Sequence, residues 1–154
     1  MTEALFMGDL LDVFQNGVLE QIGKPEEVFH RSRTRFVAEF MGDSDFISSE
    51  SMPDGVHISL GIVQQALRLP SKSKVEIAMR MDDVDFYPYD AGNGTIDERF
   101  FRGAFYIYCL RLDAGQIIPA PKPHTALLPV GMCVHAFFST DHPLSVFRNG
   151  HAVN

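Results

Sequence analysis

Residues 104–112 leave this chain few ways to fold. Set out as a β-strand, they place Phe105, Ile107 and Cys109 on one face and Tyr106, Tyr108, Leu110 and Leu112 on the other. Successive side chains on a strand point to opposite faces, so a strand with one wet face alternates apolar with polar residues. This one is apolar on nearly both faces and must be covered on both sides. One side fits the interior of a small barrel; the other needs a second layer or a second subunit. The surrounding stretches carry the same period. Val56, Ile58 and Leu60 alternate with His57 and Ser59, and Val75, Ile77 and Met79 alternate with Glu76, Ala78 and Arg80. Residues 130–139 put Val134, Ala136 and Phe138 on one face, and Asn93-Gly94 and Asp113-Ala114-Gly115 are turn signals. Many short strands with regular turns predict a mainly β fold, a small barrel or sandwich, over residues 44–148.

Residues 1–43 read differently. A short helix is expected around Ala4, Leu5 and Met7, broken by Gly8-Asp9. Two apolar runs, 10–14 and 18–22, flank Asn16-Gly17. That pair predicts a β-hairpin, because both turn positions need positive φ. Lys24-Pro25-Glu26-Glu27 then opens a helix: proline suits the first position, and the acids suit the positive end of the helix dipole. A second helix is predicted over 32–41, where Phe36, Val37, Phe40 and Met41 make one apolar stripe, with Gly42 as its stop. The boundary between the two regions falls near residues 42–44, and 149–154 read as a tail.

Several segments carry a family resemblance. Glu3-Ala4-Leu5-Phe6-Met7-Gly8-Asp9 resembles the helix that follows the switch histidine of ABC ATPases. Asn16-Gly17-Val18-Leu19-Glu20-Gln21-Ile22-Gly23-Lys24-Pro25-Glu26-Glu27-Val28-Phe29 resembles the signature that closes their nucleotide-binding domain. Thr34-Arg35-Phe36-Val37-Ala38-Glu39-Phe40-Met41-Gly42-Asp43 resembles the helix linking that domain to an accessory one. Further on, Val75-Glu76-Ile77-Ala78-Met79-Arg80-Met81-Asp82-Asp83-Val84 is similar to a strand of the transport-associated OB (TOBE) domain, with Met81 in place of the family's proline. Gly94-Thr95-Ile96, Phe101-Arg102-Gly103, Leu112-Asp113-Ala114-Gly115-Gln116 and Val130-Gly131-Met132-Cys133-Val134 resemble its later hairpins. The resemblance is to the C-terminal end of an ABC importer ATP-binding subunit, over almost the whole chain.

The resemblance implies an OB-type small barrel over 44–148, preceded by a β-hairpin and two short helices left from the nucleotide-binding domain over 1–43. It implies a homodimer, permease subunits as partners in the full complex, and a place in the cytoplasm at the inner face of the membrane without insertion. ATP and Mg belong to the full-length family; no cofactor is expected in this chain. There is no G-x-x-x-x-G-K-[ST], no LSGGQ-like signature and no apolar strand ending in Asp-Glu, and the switch histidine would fall upstream of Met1. Phosphoryl transfer then has nothing to position it. The chain alone is therefore expected to be no enzyme, with no catalytic residues, and to act by regulation. Gly42-Asp43-Ser44-Asp45-Phe46-Ile47 is shorter than the matching segment of sugar importers and resembles the iron(III), polyamine or sulfate branches. Arg80, Asp82, Asp83, Phe105, Tyr106 and Tyr108 are the candidate interface or ligand-sensing residues. The alternative is a stand-alone OB-type binding module for a small anion or metabolite. An enzyme ranks last.

Charge and composition narrow the partners. A formal charge of −7 does not suit phosphate neutralisation, so no nucleic-acid partner is expected. No run approaches the roughly 20 apolar residues of a membrane span, and the N-terminus lacks the basic start of a signal peptide. The six histidines show no zinc spacing. Cys133 and His135 share a strand face but lack two further ligands, so no metal is expected. Cys109 and Cys133 are expected as buried free thiols. Asp82, Asp83 and Asp85 read as a solvated loop. Ser48-Ser49-Glu50-Ser51, Ser71-Lys72-Ser73-Lys74 and Thr140-Asp141-His142 read as turns. The concentration of Phe100, Phe101, Phe105, Tyr106 and Tyr108 reads as barrel core plus a subunit interface.

Overall fold

A computed structural model describes residues 8–42, 44–63, 65, 67–140 and 142–153. The helix expected around Ala4, Leu5 and Met7 lies outside them, as do Asp43 and Asp141. In chain order the described elements are β1 (Leu11–Gln15), β2 (Val18–Gly23), α1 (Pro25–His30), α2 (Arg35–Met41), β3 (Ser44–Met52), β4 (Gly55–Ile58), β5 (Gly61–Val63), β6 (Lys74–Arg80), β7 (Val84–Pro88), β8 (Gly94–Phe101), β9 (Phe105–Leu112), β10 (Ile117–Pro123), β11 (Cys133–Phe138), β12 (Ser145–Arg148) and β13 (His151–Ala152). The chain is mainly β, with antiparallel sheets, a hairpin and two helices, as the sequence predicts. It forms two compact units: Met1–Ile58 with Gln64–Met79 and His142–Asn154, and Ser59–Val63 with Arg80–Asp141.

In the first unit, β1 and β2 pair across Asn16 (φ 51°) and Gly17 (φ 81°), the two positive angles that a tight hairpin demands. The helix predicted over 32–41 begins only at Arg35. The cause is Thr34, whose side-chain oxygen accepts the Val37 N–H at 3.3 Å and so caps the helix there. Ser32 instead donates back to the Val28 carbonyl at 2.9 Å. Gly42 ends α2 in an extended conformation (φ 166°), not in the left-handed cap its identity suggests. Val13, Val28, Val37 and Met41 form the core beneath the helices.

The strands of this unit run in the order β13-β12-β6-β3-β4. Ser48-Ser49-Glu50-Ser51 lies inside β3 and is not the turn expected of it. A polar strand survives here because its buried serine is satisfied. Ser51 Oγ donates to the Pro70 carbonyl at 2.9 Å and accepts the Ser73 N–H at 3.1 Å. The other serine-rich stretch is a turn, as expected, with Lys72 at φ 63°. Ala38, Ala78 and Phe147 make a second core cluster. The final residues are tied down, since Gly150 O accepts the Arg35 N–H and the Ala152 N–H donates to Arg33 O, each at 2.9 Å.

In the second unit one sheet runs β10-β9-β8-β11-β7. Tyr108, Leu110 and Leu112 of β9 point inward, joined by Phe86, Ile96, Ile118, Ala120, Val134 and Ala136. The opposite face of β9 is less covered: Phe105 is exposed, and Ile107 and Cys109 are half-buried. Strand β10 holds Pro119, Pro121 and Pro123, all of one parity. Their missing N–H groups therefore fall on one edge, and β9 bonds to the other. This leaves β10 unable to recruit a further strand. At the far end, β7 approaches β10 through the Lys122–Asp85 ion pair at 2.5 Å. The sheet curls in a way consistent with a small OB-like barrel. The turn expected at Asn93-Gly94 sits earlier, where the Gly92 N–H donates to the Tyr89 carbonyl at 3.0 Å. Asn93 instead clamps β11 with its side chain, and Gly94 already belongs to β8.

Candidate functional site

The six candidate residues fall on two elements. Arg80, Asp82 and Asp83 come together in a single 3-10 turn over Met81–Asp83. The Arg80 N–H donates to Asp83 Oδ2 at 2.8 Å, and the Asp83 carbonyl accepts the Ser139 N–H at 2.9 Å. Burial pulls the Arg80 guanidinium below its ordinary pKa, while the Asp83 and Asp82 carboxylates push it back up. The acidic cluster is not the solvated loop expected. Only Asp82 is exposed; Asp83 is buried because its carboxylate closes the turn, and Asp85 is paired with Lys122. Chemically the turn is a rigid corner with one outward carboxylate.

Tyr108 lies in the core, fully buried. Its hydroxyl donates to Ala126 O at 2.7 Å and accepts the Leu128 N–H at 3.0 Å, tying residues 126–128 to the strand. Tyr106 shares its side of β9, with ring centroids 5.9 Å apart. Phe105 faces the other way. Tyr106 also packs against Phe101 at 5.2 Å, and the Arg99 guanidinium lies 5.9 Å from its ring centre. With Phe100 and Phe101 exposed, the turn end of the β8–β9 hairpin is aromatic and edged by arginine.

Sequence reasoning missed a second aromatic group. Tyr87 and Tyr89, at the end of β7, meet His135 and Phe137 on the outward face of β11. Each segment alone shows only alternate aromatic positions; the grouping requires the β7–β11 register, which pairs His135 with Tyr87. The β1–β2 hairpin shows a third feature. Val13 and Gln21 are buried on one face, whereas Leu10, Phe14, Val18, Leu19 and Ile22 are exposed.

Neither thiol is fully buried, contrary to expectation, because both lie on outward faces: Cys109 is half-buried and Cys133 exposed. Burial, then the nearby Glu98 and Asp97 carboxylates, raises the Cys109 pKa and disfavours its thiolate, the reactive form. Iodoacetamide at mildly alkaline pH should therefore alkylate Cys133 several times faster than Cys109. Peptide mass mapping of a time course checks this, and equal rates would contradict it. Among the described residues, no group of three or more His, Cys, Asp or Glu side chains could hold a metal ion. No helix among them is long and apolar enough to cross a membrane.

No family model matches the chain. The segments quoted above and the curated relatives nevertheless point the same way: the chain is similar to the C-terminal part of ABC importer ATP-binding subunits. Two relatives make this particular. The chain is 30% identical over 143 residues to the spermidine/putrescine import ATP-binding protein PotA of Borreliella afzelii, and 29% identical over 143 residues to that of Borrelia garinii subsp. bavariensis. Each match takes in 90% of this chain and 40% of the relative, so the chain spans about two-fifths of their length.

Proposed function

We propose that this chain is the regulatory C-terminal part of a polyamine-importing ABC ATPase, acting in the cytoplasm beside permease subunits and hydrolysing no ATP by itself. The observation that carries the reading is the match to two-fifths of two spermidine/putrescine import ATP-binding proteins. The β1–β2 hairpin supports it. Its exposed apolar face is the kind of surface that a larger domain covers. Residues 44–148, which take in the second unit and its curled five-stranded sheet, are the TOBE-like module. In this reading the exposed Asp82 and Phe105 and the half-buried Tyr106 are its contact residues, while Arg80, Asp83 and Tyr108 hold them in place. Two copies associate, and a ligand or partner that prefers one arrangement of the pair biases ATP-driven closure.

The test is the coding DNA immediately upstream of the Met1 codon, with ATP turnover by the purified chain measured alongside. The reading expects an in-frame Walker A, signature and Walker B upstream, and turnover at the buffer background. A stop codon followed by a promoter and ribosome-binding site would favour the stand-alone binding module. Turnover that survives repurification would overturn the assignment of an inert part.

A further inference from the structure

We propose that the aromatic platform of Tyr87, Tyr89, His135 and Phe137 is a binding site for a small organic cation of the alkylammonium class. The proposal is independent of the transport reading, because it rests on the second unit alone. His135 and Phe137 lie two residues apart on β11, with ring planes 17° apart and centroids 6.4 Å apart. That spacing is close to the two-residue strand repeat, so the two near-parallel rings stand on one face of the strand, too far apart for tight face-to-face stacking. Tyr87 is inclined at 46° to His135, with centroids 5.4 Å apart, and Tyr89 at 86°, with centroids 6.4 Å apart. The four rings thus form one cluster, inclined to one another, on the outward side of β11. Tyr87 and Tyr89 are 48% and 52% exposed, so a guest can reach both rings.

The chemistry of the guest follows from charge. Aromatic faces carry the negative end of the ring quadrupole and attract ammonium groups. Residues 84–90 and 133–138 together contain Asp85 and Asp90 and neither Lys nor Arg. Lys122, the cation that reaches β7, is paired with Asp85, and its ammonium lies 5.0 Å from the Phe86 ring centre. An anion would meet no free positive partner on these two strands. A cation meets four ring systems, and the exposed Asp90 follows Tyr89 directly in the chain.

Choline is the probe, titrated against the intact chain and followed by the upfield shift of its N-methyl protons. Its neutral isostere 3,3-dimethyl-1-butanol is the control. Choline should bind saturably and roughly tenfold more tightly than the alcohol, and Tyr87→Ala or Tyr89→Ala should each weaken it about fivefold or more. Tyr89→Phe and His135→Phe keep a ring in place and should retain binding within about twofold. Tyr89 is half-exposed, so its replacement leaves the fold intact and a lost signal there reports on the site. Equal affinity for the neutral isostere, or indifference to both tyrosine truncations, would overturn the proposal. So would preferential binding of adenosine, which would make the platform a base-stacking surface.

Discussion

Gly92→Ala should be among the most damaging single-methyl changes in this chain, lowering its melting temperature by roughly 5–12 °C. The reason is not backbone angle, since Gly92 is not among the glycines at positive φ. It is space. A Cβ built at Gly92 would coincide with the Val134 carbonyl group and come within 2.9 Å of the His135 nitrogen. These are backbone atoms of β11, which cannot rotate aside as a side chain can. Strand β11 pairs with β7 on one side and β8 on the other, so moving it disturbs two ladders at once. Overpacking of this kind costs about 3 kcal/mol, and in a chain of this length 1 kcal/mol is worth about 2–4 °C. Gly131→Ala is the control: its φ is 88° but nothing lies within 4 Å of its Cβ, so it should lose only the left-handed penalty of about 1–2 kcal/mol. Thermal melts followed by circular dichroism check the order. A Gly92→Ala protein melting like the parent would mean that the loop and β11 do not approach as described.

What the sequence makes legible is whatever depends on local chemistry. Asn16-Gly17 announces its hairpin because two positive φ angles can be read from two residues. The β9 strand declares itself because its apolar content is contiguous, although only the face of Tyr108, Leu110 and Leu112 is buried and the expected second cover leaves Phe105 exposed and Ile107 and Cys109 half-buried. What it hides depends on pairing. Strand β10 is hard to see because three prolines in seven residues argue against a strand. They are tolerated only because β10 ends its sheet and their missing donors face away from β9. Strand β3 is hidden by its serines, of which the buried one, Ser51, is permitted by partners at Pro70 and Ser73, some twenty positions away. The candidate residues divide in the same way. Arg80, Asp82 and Asp83 are neighbours in the chain and stay together in one turn. Tyr87, Tyr89, His135 and Phe137 come from segments more than forty residues apart and become neighbours only through the β7–β11 register.

Asn93 concentrates that lesson and carries the second large prediction. Read locally it is half of an Asn-Gly turn. In the fold its amide replaces a strand: Nδ2 donates to Ala136 O at 2.8 Å, and Oδ1 accepts the Ala136 N–H at 2.7 Å. Ala136 is 1% exposed, so water does not readily take over either bond. Asn93→Ala leaves a buried donor and a buried acceptor without partners, and each such loss costs about 1–3 kcal/mol. The variant should lose roughly 2–4 kcal/mol, close to the Gly92→Ala loss but by a different route. Asn93→Asp separates the two bonds. One carboxylate oxygen can still accept the Ala136 N–H, but the other then faces the Ala136 carbonyl oxygen where a donor stood. Aspartate should therefore rescue little, and an Asn93→Asp variant as stable as the parent would refute the two-bond clamp. Amide hydrogen exchange gives the local readout: Ala136 should lose protection in both variants before Leu110 in the core of β9 does. Because Ala136 lies between His135 and Phe137, a loosened clamp should also blur the ring platform. Choline affinity should then fall in Asn93→Ala although residue 93 is not one of the platform rings. That fall, measured well below the melting temperature, separates a strand held in place by one asparagine from a loop that only happens to lie beside it.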